Sequence, residues 1–205
     1  MQVTPVTPDR LVDEVAELVD ARAGRVRVAL DGPQATRPLA LAEQVAEVLR
    51  TRGRMAVVVS AGDFLRPASV RLEFGREDPD EFLDGWIDAG GLRREVLDPA
   101  GPAGSGRVLP RLWDAAADRA HRGGYVDIGD AGVVVVAGAL LLGRGLPFDL
   151  AVHLRMSGAA LARTLPPAER WTLPAYSRYD EERFPEEEAD LVVLSDHPDR
   201  PAIRR

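Results

Sequence analysis

The sequence predicts a single three-layer α/β domain with a mostly parallel central sheet. Apolar, Val-rich runs typical of strands alternate along the chain with segments whose apolar residues repeat at helical spacing. The runs MAVVVS at 55–60 and GVVVVAGALLL at 132–142 are almost continuously apolar, as expected of strands buried on both faces of a parallel sheet. A chain of 205 residues is long enough for one well-buried core and short for two full domains.

Each element follows from its own local pattern. A helix is expected over residues 9–22, with Thr7 as its cap and Pro8 in its first turn. Further strands are predicted at 25–30, 55–60, within 132–142, at 150–154 and at 190–195. Further helices are predicted at 39–51, in part of 79–97, and at 111–121, 157–164 and 179–188. We therefore expect residues 1–24 to form a helical extension ahead of a domain at 25–205.

Composition excludes several classes of function. The formal net charge of −7, without a basic face in the sequence, argues against nucleic acid as a partner. The chain contains no Cys, which excludes disulfides, thiol catalysis and Cys-ligated zinc, and its three His are too scattered to predict a metal site. No apolar run is long enough to cross a bilayer as a helix, and the start of the chain lacks the pattern of a signal peptide. The sequence thus predicts a cytoplasmic protein that binds neither nucleic acid nor membrane.

The stretch DGPQATRPLAL at 31–41 lies between a predicted strand and a predicted helix. A phosphate-binding P-loop occupies such a place, with the pattern G-x-x-x-x-G-K-[ST]. Gly32 fills its first position, but Arg37, Pro38 and Leu39 fill the last three. All 26 basic residues of the chain are Arg, so no lysine can be supplied from elsewhere. The residues of this vestigial phosphate loop are Gly32, Gln34, Thr36 and Arg37.

Four more segments accompany this loop in a fixed order. They are SAGDFLRPASVR at 60–71, DPDEFLDGWID at 78–88, LDPAGPAGSGRVLPRLWD at 97–114 and ADLVVLSDHPDRP at 189–201. In this order, and with the apolar strand at 132–142 between the last two, they resemble the uridine kinase-like branch of the P-loop kinases, which is related to phosphoribulokinase. The resemblance extends from about residue 25 to residue 203 and implies a P-loop NTPase-like fold.

The resemblance also implies which residues should carry phosphoryl transfer, and this sequence departs from them. Pro38 stands where the phosphate-binding Lys belongs, and Leu39 stands where a hydroxyl should hold magnesium. Gly62 stands where the family has an acidic base, two residues before Phe64. Ala137 stands where an acidic residue should end the central strand. Because phosphoryl transfer depends on positioning and electrostatics, these losses predict a pseudokinase without cofactor or protein-bound metal.

Two roles remain open for a degenerate kinase scaffold, and a third reading competes with both. The protein could bind a nucleoside-like small molecule, for which the candidate ligand-binding residues are Asp63, Arg66, Asp88, Arg107 and Arg163. It could instead be a regulatory partner that forms a homo- or hetero-oligomer through its first helix or a Trp-bearing face. The alternative is an active ATP-dependent nucleoside (uridine) kinase, or another enzyme on the same scaffold, with a non-standard P-loop that uses Arg37 in place of Lys.

Overall fold

The computed structural model describes residues 2–204 and confirms the predicted α/β architecture. Within these residues the strands are β1 (Val3–Pro5), β2 (Val26–Asp31), β3 (Ala56–Ser60), β4 (Arg107–Val108), β5 (Trp113–Asp114), β6 (Arg119–Ala120), β7 (Val126–Asp127), β8 (Val133–Gly138), β9 (Leu150–Arg155), β10 (Leu191–Leu194) and β11 (Ala202–Arg204). The α-helices are α1 (Pro8–Asp20), α2 (Pro38–Thr51), α3 (Ala68–Arg71), α4 (Ala89–Leu92), α5 (Gly158–Thr164), α6 (Leu173–Arg183) and α7 (Pro185–Glu188).

Seven strands form the central sheet, in the order β1-β11-β10-β9-β2-β8-β3. The five strands from β10 to β3 run parallel, and β11 and β1 add an antiparallel edge. The sheet is therefore mostly parallel, as predicted. Strand β2 lies between β9 and β8, with Val28 in register with Val135. Both faces of these central strands are buried, which explains their nearly continuous apolar sequence.

The segment at 3–20 contributes to the same core as the sheet that follows it. Helix α1 starts where the sequence predicts, because Thr7 Oγ1 accepts a hydrogen bond from the amide of Arg10 at 3.2 Å. Val15 and Val19 on its apolar face are fully buried in the cluster that also contains α2 and one face of the sheet. Strand β1 pairs with β11 at the edge. The predicted helical extension thus supplies core residues and one edge strand.

The prediction of a helix at 111–121 is wrong, because this segment contains the antiparallel β5–β6 hairpin. The carboxylate of Asp114 accepts hydrogen bonds from the amides of Ala116 at 3.1 Å and Ala117 at 3.0 Å. Asp118 then adopts a left-handed conformation with φ of 47°. A short Asp side chain that captures nearby amides favours a turn over a helix, and here that local preference prevails over the Ala-rich composition.

The acidic helix predicted at 179–188 is two helices. Phe184 separates α6 from α7 with φ of 47°, and Pro185 follows it. Proline lacks an amide donor and disfavours right-handed helical geometry in the residue before it, so α6 ends there. None of the helices in residues 2–204 is long and apolar enough to cross a membrane.

Candidate functional site

A cleft of about 810 Å³ opens at the carboxyl ends of β2, β3 and β8. Ligands of open α/β sheets bind at this edge, and the volume suits a drug-sized molecule. Its floor consists of Gly32, the turn after β3 and the residues that end β8. The amino end of α2 and the segment from Leu165 to Tyr176 line its sides. The sequence places a ligand at this position through the resemblance, and the structure supplies a cavity there.

The loop between β2 and α2 occupies the position of a P-loop. Its Thr36 and Arg37 amides, however, do not point outward as the amides of a phosphate-binding loop do. The amide of Thr36 donates to the carbonyl of Pro33 at 2.8 Å, and the amide of Arg37 donates to the carbonyl of Gln34 at 2.9 Å. These bonds close a short 3₁₀ turn, so both amides are directed into the loop itself. A phosphate cradle needs amides directed outward at the anion, and Pro38 has no amide hydrogen to offer.

Arg37 keeps the left-handed backbone that a glycine adopts easily, with φ of 58°. Arg37 lines the cleft, yet its Nη1 pairs with the carboxylate of Asp199 at 2.9 Å. Both side chains are exposed, so this ion pair is weak and can open. The side chain at this position is therefore engaged with a neighbouring loop in this structure.

Two other members of the vestigial loop have packing roles. A Cβ on Gly32 would lie 2.7 Å from the carbonyl oxygen of Leu154, which explains why glycine is required there. The hydroxyl of Thr36 is buried and donates to the carbonyl of Pro33 at 2.8 Å. Gln34 is exposed at the cleft. Gly32, Gln34 and Arg37 thus line the cleft, while Thr36 supports the loop from inside.

The two positions where the resemblance implies catalytic carboxylates both line the cleft without a carboxylate. Gly62 lies in the turn after β3, and Ala137 lies near the end of β8. Asp63 does not replace the missing base, because its carboxylate pairs with Nε of Arg111 at 3.1 Å and does not line the cleft. Asp63 follows Gly62 by one residue, and its carboxylate is directed at Arg111 and not at the cleft.

The candidate ligand-binding residues do not form a common site on the cleft, although the segments at 64–66 and 86–88 pair through their backbones. Asp88 caps α4 by accepting a hydrogen bond from the amide of Gly91 at 2.8 Å. The guanidinium of Arg107 lies 5.8 Å from the ring centre of Tyr125. Arg66 is exposed beyond β3, and Arg163 lies in the last turn of α5. None of these residues, nor Asp63, is among the described residues that line the cleft.

An aromatic wall covers one side of the cleft, and none of its residues is among the predicted ligand-binding residues. It consists of Phe82, Trp86, Trp171 and Tyr176. Phe82 contacts the other three rings edge to face, with centroid distances of 5.2, 5.5 and 5.8 Å to Trp86, Trp171 and Tyr176. Burial raises the pKa of the Tyr176 hydroxyl, which therefore stays uncharged at neutral pH. Two of the three Trp thus line the cleft. Trp86 lies in one of the segments that carry the resemblance, whereas Trp171 lies outside all of them, so no signal in the sequence indicated it.

A buried polar network lies directly beneath the vestigial loop. Asp31, the last residue of β2, is fully buried and accepts hydrogen bonds from His153 Nδ1 at 2.7 Å and the Tyr179 hydroxyl at 3.0 Å. Its other oxygen accepts from the amide of Leu141 at 2.8 Å. Burial, followed by the charge of Asp31, raises the pKa of Tyr179, so this hydroxyl remains a donor. The network ties together β2, β9, α6 and the turn after β8.

The sequence predicts no site at Asp31 or at His153, since the three His are too scattered along the chain to predict a metal site. The available signal was a polar residue in each of two mostly apolar strands: Asp31 ends VRVALD, and His153 lies within LAVHLR. A small cavity of about 20 Å³ adjoins this network and is lined by His153, Tyr176 and Asp180, among others. Gly32, Leu140 and Tyr176 line both cavities, so the small cavity and the large cleft share part of their walls.

Comparisons with known proteins support the fold. No family model matches the sequence, and a search of curated proteins finds no match. The structure of a "possible uridine kinase" from Bacillus stearothermophilus is similar with a TM-score of 0.71 at 20% identity, over 88% of this chain and 96% of that one. A "putative fructose transport system kinase" from Silicibacter sp. TM1040 gives 0.62 at 24% identity, over 90% and 95% of the two chains. The protein YGR205w gives 0.55 at 11% identity, over 95% and 99%.

These likenesses confirm the predicted α/β fold, which this chain shares with the three structures. Fold alone does not carry activity, which depends on the residues of the site.

Proposed function

We propose that this protein is a degenerate uridine kinase-like protein that does not transfer phosphate from ATP and instead binds a small organic ligand in the cleft. The main support for this proposal is the loop at 32–39, in which the amides of Thr36 and Arg37 donate to carbonyls of the loop itself. The fold is shared with kinases, but this phosphate cradle is closed.

Four substitutions add to the effect of the closed loop. Pro38 offers neither a cation nor an amide hydrogen, and the side chain of Leu39 cannot ligate magnesium. Ala137 and Gly62 line the cleft at the positions where the resemblance implies acidic groups. Because phosphoryl transfer relies on positioned charges, each loss typically lowers the rate by orders of magnitude. The cleft itself remains about 810 Å³ in volume, which supports retention of a ligand-binding role.

Calorimetric titration with Mg-ATP, followed by a coupled assay with uridine, tests the loss of phosphoryl transfer. We expect no heat of Mg-ATP binding at micromolar concentration and no ADP formation. Micromolar binding of Mg-ATP together with turnover of a nucleoside would instead establish the alternative of an active kinase with a non-standard loop.

A variant in which the residues of the kinase pattern are reintroduced tests whether their loss accounts for the expected inactivity. It combines R37G, P38K and L39T in the loop with G62D and A137D at the cleft floor. We expect Mg-ATP binding to appear, because Gly relieves the left-handed position and Lys and Thr return the phosphate and magnesium contacts. The loop changes alone, R37G/P38K/L39T, form the matched control. This control should restore nucleotide binding without turnover. If the variant with all five substitutions folds correctly but still fails to bind Mg-ATP, features other than these five residues close the site.

A further inference from the structure

We propose that the ligand of the cleft is an organic cation, with an ammonium group seated against the aromatic wall of Phe82, Trp86, Trp171 and Tyr176. This proposal rests on the proposed function, because it names the ligand class of the same cleft. The proposed ligand thus has the opposite charge to the phosphate that a P-loop binds.

The aromatic wall provides the first argument. Trp86 and Trp171 lie 5.7 Å apart with their planes inclined by 50°, so two indoles form an angled surface beside the cleft. The electron-rich faces of such rings attract cations, most strongly in Trp. One cation already uses this property, since the guanidinium of Arg71 lies 5.3 Å from the ring centre of Trp86. Arg71 is buried and does not line the cleft, so it contacts Trp86 from outside the cavity.

The charges of the cleft provide the second argument. Glu43 from α2 and Glu169 from the turn before α6 both line it, and neither forms an ion pair with any residue in the range 2–204. Arg37 is the basic residue of the lining, and Asp199 already pairs with it. The other described residues of the lining are uncharged. The cavity therefore has an excess of negative charge, which attracts a cation and repels phosphate.

The apolar part of the lining sets the body of the ligand. Leu39, Leu65, Ile87, Leu140 and Leu165 contribute to the remaining surface. A small inorganic cation gains nothing from such a surface, whereas a methylated ammonium presents methyl groups to it while keeping its charge. The combination of aromatic, acidic and aliphatic surface therefore fits an alkylated ammonium compound.

A pair of isosteric probes tests the proposal on the full chain. Choline and 3,3-dimethylbutan-1-ol have nearly the same shape, and only choline is charged. We expect choline to bind at least about tenfold more tightly at low ionic strength, as measured by calorimetry and by quenching of tryptophan fluorescence. Trp171→Leu should remove this preference. The matched control Trp113→Leu, in the β5–β6 hairpin outside the cleft, should retain it.

The acidic contribution has its own variant. Glu169→Gln should weaken choline binding about two- to fivefold and leave the alcohol unaffected, while Glu187→Gln on α7 should change neither. Unchanged binding of the alcohol shows that the cleft of each variant is intact. Equal affinity for the two probes, or no choline binding to the folded wild-type protein, would overturn the proposal. Such a result leaves the proposed function standing, since Mg-ATP turnover is the result that refutes that function.

Discussion

Replacement of Asp31 by alanine is expected to destabilise the protein strongly, because this carboxylate organises the sheet edge beneath the cleft. It is fully buried and accepts three hydrogen bonds, from Leu141, His153 and Tyr179. Alanine would leave three buried donors without their acceptor. Each orphaned donor costs about 1–3 kcal/mol, and the surrounding side chains can relax in part. We therefore expect the free energy of unfolding to fall by about 3–6 kcal/mol, a large part of the total stability typical of a domain.

The conservative control is Asp31→Asn, which keeps the volume of the side chain and one oxygen. That oxygen can still accept from Leu141, but the NH2 group that replaces the other oxygen is a donor and cannot accept from His153 or Tyr179. We expect a smaller loss of about 1–3 kcal/mol. A cycle with Tyr179→Phe should show a coupling of about 0.5–3 kcal/mol, because the two side chains share a hydrogen bond.

Urea unfolding followed by tryptophan fluorescence measures these differences as shifts of the midpoint at constant slope. The reasoning fails if Asp31→Ala lowers the free energy of unfolding by less than about 1 kcal/mol, since the loss of the acceptor for three buried donors should lower it by more than that. It also fails if Asn is as damaging as Ala, because the loss would then come from charge alone and not from the number of acceptors.

Two further predictions concern packing and acid stability. Gly32→Ala should cost about 1–3 kcal/mol in urea unfolding, because its Cβ would meet Leu154 at 2.7 Å. At Gly62 the nearest atom is a Ser60 hydroxyl at 3.3 Å, so Gly62→Ala should cost far less, and equal costs would contradict this account. Burial acts to raise the pKa of Asp149, but hydrogen bonds from Arg27 outweigh it and lower that pKa. The stability from this pair is then present above pH ~4 and is lost as pH falls through the lowered value. Asp149→Asn should remove that part of the acid dependence; an unchanged pH profile of the urea midpoint would argue against it.

The sequence was informative wherever the signal is local. Continuous Val-rich runs predicted the buried parallel strands, and Thr7 with Pro8 predicted the start of α1. The hairpin at 113–120 escaped prediction because a single carboxylate, that of Asp114, captures two amides in a segment whose composition favours a helix. Substitutions at Pro38 and Leu39 were visible directly, since the chemistry of a side chain needs no coordinates.

Contacts between distant segments were decided only by the tertiary structure. Asp31 lies 122 residues from His153 and 148 from Tyr179, and nothing in the local pattern of either segment specifies their meeting. The same holds for Trp86 and Trp171, which line the same side of the cleft because the segment at 81–87 packs against the turn before α6. The direction of the Thr36 and Arg37 amides is likewise a property of the folded loop. Local chemistry thus determined what the phosphate loop has lost, and long-range packing decided which side chains surround the cleft that remains.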